Sequence, residues 1–287
     1  MTPSFGARLA AEFAAGRHLC AGIDPHAPLL ADWGLGDDAA GAERMGRDVV
    51  AAAAGVVACV KPQIAFFERF GSAGLAALER VLSDARSAGL LVVADVKRGD
   101  IGSSFAAYAD AWLAPGSPLE ADAMTVAAYQ GFGTLDGAFG HVRDHGKGLF
   151  VLAATSNPEA REVQTAVRTD GRTVAAAMVS DTQSFNRAEF AGDPVGSVGV
   201  VLGATLDLAE YGIDVSPAGR GAGPALPVLA PGFGHQGARI EEAGAVFGSL
   251  GSALLANESR SILSGGTDGL GERVRARAEA IAEALHW

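Results

Sequence analysis

The stretch ADVKRGDIGSS, residues 94–104, ends the apolar run Leu90-Leu91-Val92-Val93 with Asp95, Lys97 and Asp100. On an extended chain alternate side chains share a face, so Asp95 and Lys97 point one way and Ala94 and Val96 the other. Opposite charges then stand together at the end of a core strand, where each offsets part of the other's desolvation. Of the 22 lysines and arginines only Lys61, Lys97 and Lys147 are lysine, and the first two end apolar runs. An ammonium can give up a proton and a guanidinium cannot. Lys61 and Lys97 therefore suit proton transfer or the stabilisation of developing negative charge, against the plainer reading of codon bias and ion pairs that serve packing.

The elements that must position these charges are short apolar runs separated by stretches of helical period. The runs are 19–24, 56–62, 90–97, 122–126, 148–155, 197–205, 227–232 and 245–251. Strands that are apolar throughout belong to a sheet covered on both faces. Eight strand–helix units in 287 residues predict an α/β fold, a single (β/α)8 TIM barrel spanning 1–287, with an N-terminal helix in 1–17 and a mobile loop at 216–227. The alternative, an open doubly wound sheet, would favour an early G-x-G-x-x-G fingerprint, which is absent.

In such barrels chemistry sits at the C-terminal ends of the strands. Those ends read Asp24, Lys61, Asp95 with Lys97, the loop 129–133, Thr155-Ser156-Asn157, 203–205, PGFGHQG at 231–237 and NESR at 257–260. A phosphate is commonly held after strands seven and eight. There Gly234 lets backbone N–H groups approach an anion, Gln236 offers an amide donor and Arg260 a guanidinium fork. A glycine-rich turn can also be only a turn; it is the combination with Arg260 after the next strand that favours phosphate.

Composition narrows the partners. A net charge of −11 argues against a nucleic-acid surface. The longest uncharged apolar stretch, Val49 to Val60, is too short to span a bilayer, and the N-terminal segment lacks the apolar centre of a signal peptide. Cys20 and Cys59 lie inside apolar runs and read as buried thiols of a reducing compartment, so a cytoplasmic location is expected. They show no zinc spacing. His26, His141, His145 and His286 read as surface or loop residues, and His235 as part of a turn.

Taken together, I-D after the first strand, K-P after the second, D-x-K-x-x-D-I after the third, T-S-N-P after the fifth, P-G-x-G-x-Q-G after the seventh and S-R-x-I-L at the end resemble orotidine 5′-phosphate decarboxylases, from Asp24 to Leu263. D-x-K-x-x-D is shared more widely; its combination with P-G-x-G-x-Q-G and the trailing arginine is the specific part. The resemblance implies conversion of orotidine 5′-monophosphate (OMP) to UMP and CO2, the last step of de novo pyrimidine synthesis, with no metal or organic cofactor. It implies catalytic roles for Lys97, Asp95, Asp100 and Lys61, with Lys97 protonating C6 and Asp24 and Lys61 at the ribose hydroxyls. Ser156 would meet the pyrimidine edge, Asn157 would also bind substrate, and Gly234, Gln236 and Arg260 would take the phosphate. Asp100, Ile101 and Ser104 would reach into the partner's site of a homodimer. Two positions depart from the pattern, Ser104 for threonine and Ala127-Ala128 before Tyr129 for a proline.

Three other readings compete with this one. A magnesium-dependent relative would put a carboxylate at the end of strand two, where Lys61 stands. A Schiff-base role for Lys97 is opposed by acids on both sides, which keep it protonated. A silent nucleotide-binding barrel would need the anion site without the charged cluster, and the chain carries both.

Overall fold

The computed structural model describes residues 2–216 and 223–285. Eight parallel strands close into a barrel in sequence order: β1 (Leu19–Ile23), β2 (Cys59–Pro62), β3 (Leu91–Arg98), β4 (Ala123–Val126), β5 (Gly148–Ala154), β6 (Val198–Leu202), β7 (Val228–Pro231) and β8 (Leu254–Glu258). Pairing of Leu19 with Ala256 and of Cys20 with Cys59 joins β1 to both β8 and β2. Residues 217–222 of the expected 216–227 loop, and His286, lie outside the described residues.

Alternation along each strand divides the core in two. Leu19, Val60, Val92, Met124 and Leu149 pack outward against the helices, whereas Cys20, Cys59, Val93, Ala123, Phe150 and Leu255 fill the interior. Phe5 and Leu9, from the N-terminal helix Phe5–Ala14, join the interior group. The Phe5 ring meets Phe150 edge-on at 6.0 Å and is fully buried. A side-chain carbon at residue 148 would lie 2.4 Å from that ring, so glycine there lets the helix seat. One end of the barrel is thus closed with hydrocarbon, and the polar strand termini are gathered at the other.

The eighth strand corrects the sequence expectation. Residues 245–251 are not extended: Ala243–Phe247 is helical and Gly248–Ala253 a 3-10 turn. Gly248, at φ +47°, breaks the helix with a backbone that favours glycine. The apolar run that pairs with β7 and β1 is Leu254-Leu255-Ala256, immediately before the polar residues 257–260.

Removing the seal tests its weight. Phe5→Ala should cost about 3–5 kcal/mol in chemical denaturation, as for other fully buried aromatic truncations. A loss under about 1 kcal/mol would mean that this helix does not complete the core.

Candidate active site

At the open rim the interior positions change from hydrocarbon to charge. Cys59 is followed on its face by Lys61, Val93 by Asp95, Ala123 by Thr125 and Leu255 by Asn257. These residues, with Lys97, Leu152, Thr155, Ser156 and Asn157, line a cleft.

Asp95 is its centre. Oδ2 accepts the Lys61 ammonium at 2.7 Å; Oδ1 accepts the Lys97 ammonium at 2.6 Å and the Thr125 hydroxyl at 2.8 Å. Gln63 bridges the same pair: its oxygen accepts Lys97 at 3.3 Å, and its nitrogen, in the orientation that satisfies both neighbours, donates to Asp95 Oδ2. Four donors therefore occupy a carboxylate with about four lone-pair sites. Asp95 and Lys61 are buried, whereas the Lys97 side chain is 46% exposed to the cleft.

Lys97 is the only non-glycine residue at positive φ, +47°, among the described residues, and the pairing of β3 with β4 shifts between Ala94 and Arg98. Such a backbone costs of order 1–3 kcal/mol and persists only where surroundings hold it. Here a ring of bonds does so. The Lys97 N–H donates to Thr125 Oγ1 at 2.9 Å, that hydroxyl donates to Asp95, and Asp95 accepts the ammonium of Lys97.

Charge reinforces the geometry. Burial alone would push the Asp95 carboxyl up, but Lys61 and then Lys97 outweigh it and hold the group well below the usual carboxylate range. Burial would likewise push the Lys61 ammonium down, and Asp95 and Asp24 overcome it, leaving Lys61 above its ordinary value. A depressed Asp95 stabilises the fold fully above its unfolded value, near about pH 4, and loses that contribution as acid approaches the folded value. The raised Lys61 stabilises fully below its unfolded value and loses this only in strong alkali. Across neutral pH Asp95 and Lys61 keep one charge state.

Other expected residues converge on the rim. Ser259 donates to Asp24, whose second oxygen is buried with no partner among the described residues. The Ser156 hydroxyl approaches Gln236 Oε1 at 3.5 Å, bringing the fifth and seventh loops together. Asn157 accepts from Thr155 at 2.8 Å. Arg260 opens the short helix Arg260–Leu263, is half-buried, and makes no ion pair among the described residues. His26 is held below its ordinary value by burial, with Asp24 opposing and Arg260 and Arg69 adding to the shift. Arg260 and Asp24 thus both bear on one side of the mouth.

Asp100, Ile101 and Ser104 do not join the cleft of their own chain. Asp100 accepts the N–H of Ile101 at 2.8 Å and forms no ion pair with Lys61 or Lys97 of its own chain, so it stands outside their network within one chain. Ile101 is 59% exposed. Lys147 lies at the opposite rim, pairing with Glu120 at 2.6 Å. Thr125 and Gln63 escape the sequence reading. A signal for Gln63 was its place two residues after Lys61. Among the described residues no group of three or more His, Cys, Asp or Glu side chains could hold a metal ion.

Comparison with known proteins follows the same residues. The profile of the "Orotidine 5'-phosphate decarboxylase / HUMPS family" matches residues 17–263. An orotidine 5′-phosphate decarboxylase of Streptomyces coelicolor is 51% identical over 265 residues, covering 92% of this chain and 91% of the relative. One from a Nocardioides species is 52% identical over 263 residues, covering 90% and 91%. A Streptomyces avermitilis crystal structure assigned to the same activity superposes with a TM-score of 0.91 at 50% identity, covering 100% of this chain and 97% of the other.

The ion network predicts unequal costs. Asp95→Ala strands two ammoniums and should destabilise the fold by about 3–5 kcal/mol, whereas Lys97→Ala, removing a half-exposed partner, should cost no more than about 1 kcal/mol. Equal costs in denaturant titrations would contradict the central position of Asp95.

Proposed function

The chain belongs to the orotidine 5′-phosphate decarboxylase / HUMPS family and decarboxylates OMP to UMP in pyrimidine biosynthesis, and we propose that it does so through the Lys61–Asp95–Lys97 network. The observation that carries this mechanism is the Lys97 ammonium, held 2.6 Å from a saturated Asp95 and exposed to the cleft.

Cleavage of the bond between C6 and the carboxylate releases CO2 and leaves the electron pair on C6. That pair lies in the ring plane, where no ring carbonyl delocalises it, so fixed charge must lower the barrier. Lys97 places a full positive charge beside the developing carbanion and transfers an Nζ proton to C6, regaining a proton from solvent afterwards. Asp95 stays ionised beside the substrate carboxylate, a repulsion that disappears as the carboxylate leaves as neutral CO2. Because four donors hold Asp95, it cannot relieve the repulsion by turning away.

Asp24 and Lys61 bind the ribose hydroxyls, and Ser156 with Asn157 the pyrimidine. Gly234, Gln236 and Arg260 take the phosphate, a role supported by Arg260 having no carboxylate partner of its own among the described residues. The active unit is a homodimer in which Asp100, Ile101 and Ser104 serve the partner's site. Their outward position supports this, as does the exposed ring of Tyr108, one turn after Ser104 on the same helix and 37% exposed. The single domain spans the chain, and a cytoplasmic location accords with two unpaired buried thiols.

EDTA-treated protein should consume the absorbance of OMP at full rate, and a requirement for added magnesium would overturn the mechanism. Lys97→Ala should lower turnover by at least about 10³-fold with the fold intact, from loss of both acid and charge; near-normal activity would defeat the assignment. Mixed Lys97→Ala and Asp100→Ala chains should regain part of the activity if sites are shared, and silence at every ratio would argue for self-contained sites.

A further inference from the structure

Beneath the anion-binding rim lies an ionic cluster that the cleft does not use. Asn257 lines the cleft, so its neighbour Glu258, the last residue of β8, points away from it. Glu258 is only 1% exposed. Its Oε1 accepts Arg277 Nη2 at 2.5 Å and its Oε2 accepts Arg277 Nε at 2.9 Å, a two-pronged pair reaching in from the helix Leu270–Leu285. The Ser261 hydroxyl donates to the same Oε2.

The glycine-rich turn rests on this unit. Gly234 has φ +70°, and a side-chain carbon there would lie 3.1 Å from Ser261 Cβ and 3.5 Å from Glu258 Oε2. Arg260 sits one residue before Ser261. A buried carboxylate is tolerated only when fully paired, and a forked arginine–carboxylate contact fixes orientation as well as distance. One buried ion pair thereby sets where Ser261 stands, and Ser261 separates the backbone of Gly234 from the start of Arg260.

We propose that Glu258, Arg277 and Ser261 are positioning residues of the phosphate subsite, holding the Gly234 turn and the Arg260 guanidinium at the spacing that a phosphate requires. They act through Gly234 and Arg260 and do not themselves touch substrate. The inference rests on the assignment of this rim to the substrate phosphate. It separates two devices in one cleft: the Asp95 network governs the chemical step, and the Glu258 cluster governs phosphate affinity.

The test compares Ser261→Ala, which deletes one hydroxyl and leaves the ion pair, with Arg277→Lys, which keeps the charge and loses the fork. Ser261→Ala should raise both the KM for OMP and the Kd for inorganic phosphate about 2- to 10-fold, and Arg277→Lys about 10- to 100-fold, the range of neutral and charged hydrogen bonds. In each, kcat should stay within about twofold and decarboxylation of phosphate-free orotidine should be unchanged. A role in folding alone would instead lower the melting temperature and kcat together and leave phosphate affinity untouched, which would overturn the proposal. If Arg277→Lys does not fold, Ser261→Ala decides alone. Calorimetry with inorganic phosphate keeps this inference apart from the reading beneath it: wild-type protein inert toward OMP, yet binding phosphate more tightly than both variants, would preserve the positioning role and overturn the substrate.

Discussion

The structure depends on one carboxylate that has no freedom. Asp95 receives two ammoniums, a hydroxyl and an amide, so each of its oxygens is committed. A buried charge is expensive in isolation and stable only when its partners are in place. Saturation therefore orients the lysines as much as the lysines stabilise the acid. Lys61 is held behind it at the cleft wall and Lys97 in front, with Lys97 the more open of the two toward the cleft.

The barrel supplies what this arrangement needs. Hydrocarbon fills the interior up to the layer of Cys20, Cys59 and Val93, and Phe5 closes the far end, so the charges stand on a dry floor. Low polarizability beneath them strengthens each electrostatic contact relative to water. The backbone at Lys97 contributes as well. Its positive φ turns the chain at the rim while the bonds through Thr125 return the ammonium to Asp95. The ion pair is thus built on a strained residue that the pair itself helps to hold.

Much of this was legible in the chain. Asp95 and Lys97 do meet, though through a bulge and a left-handed residue instead of the regular two-residue repeat that predicted it. The polar strand ends were readable because charge after an apolar run is rare. The eighth strand was misplaced because AVFGSLG and LLANE are both short and apolar, and only pairing with β7 and β1 separates them. Thr125 was hidden for a related reason. A lone threonine looks the same whether it faces the helices or the interior; the register of Val93 with Ala123 is what puts it abreast of Asp95. Gln63 needed the turn after Lys61 before its carboxamide could be placed. The role proposed for Asp100 involves a second chain, about which spacing within one chain carries no information.

The most direct measurement follows the Asp95 carboxylate by carbon NMR in protein labelled at aspartate, using Asp95→Asn to assign the signal. Asp95 should show an ionised chemical shift with no inflection between about pH 5 and pH 9, unchanged when a substrate-like nucleotide binds. Titration of that carboxylate near neutrality would contradict a permanently charged, fully committed Asp95, and with it the fixed ammonium at residue 97.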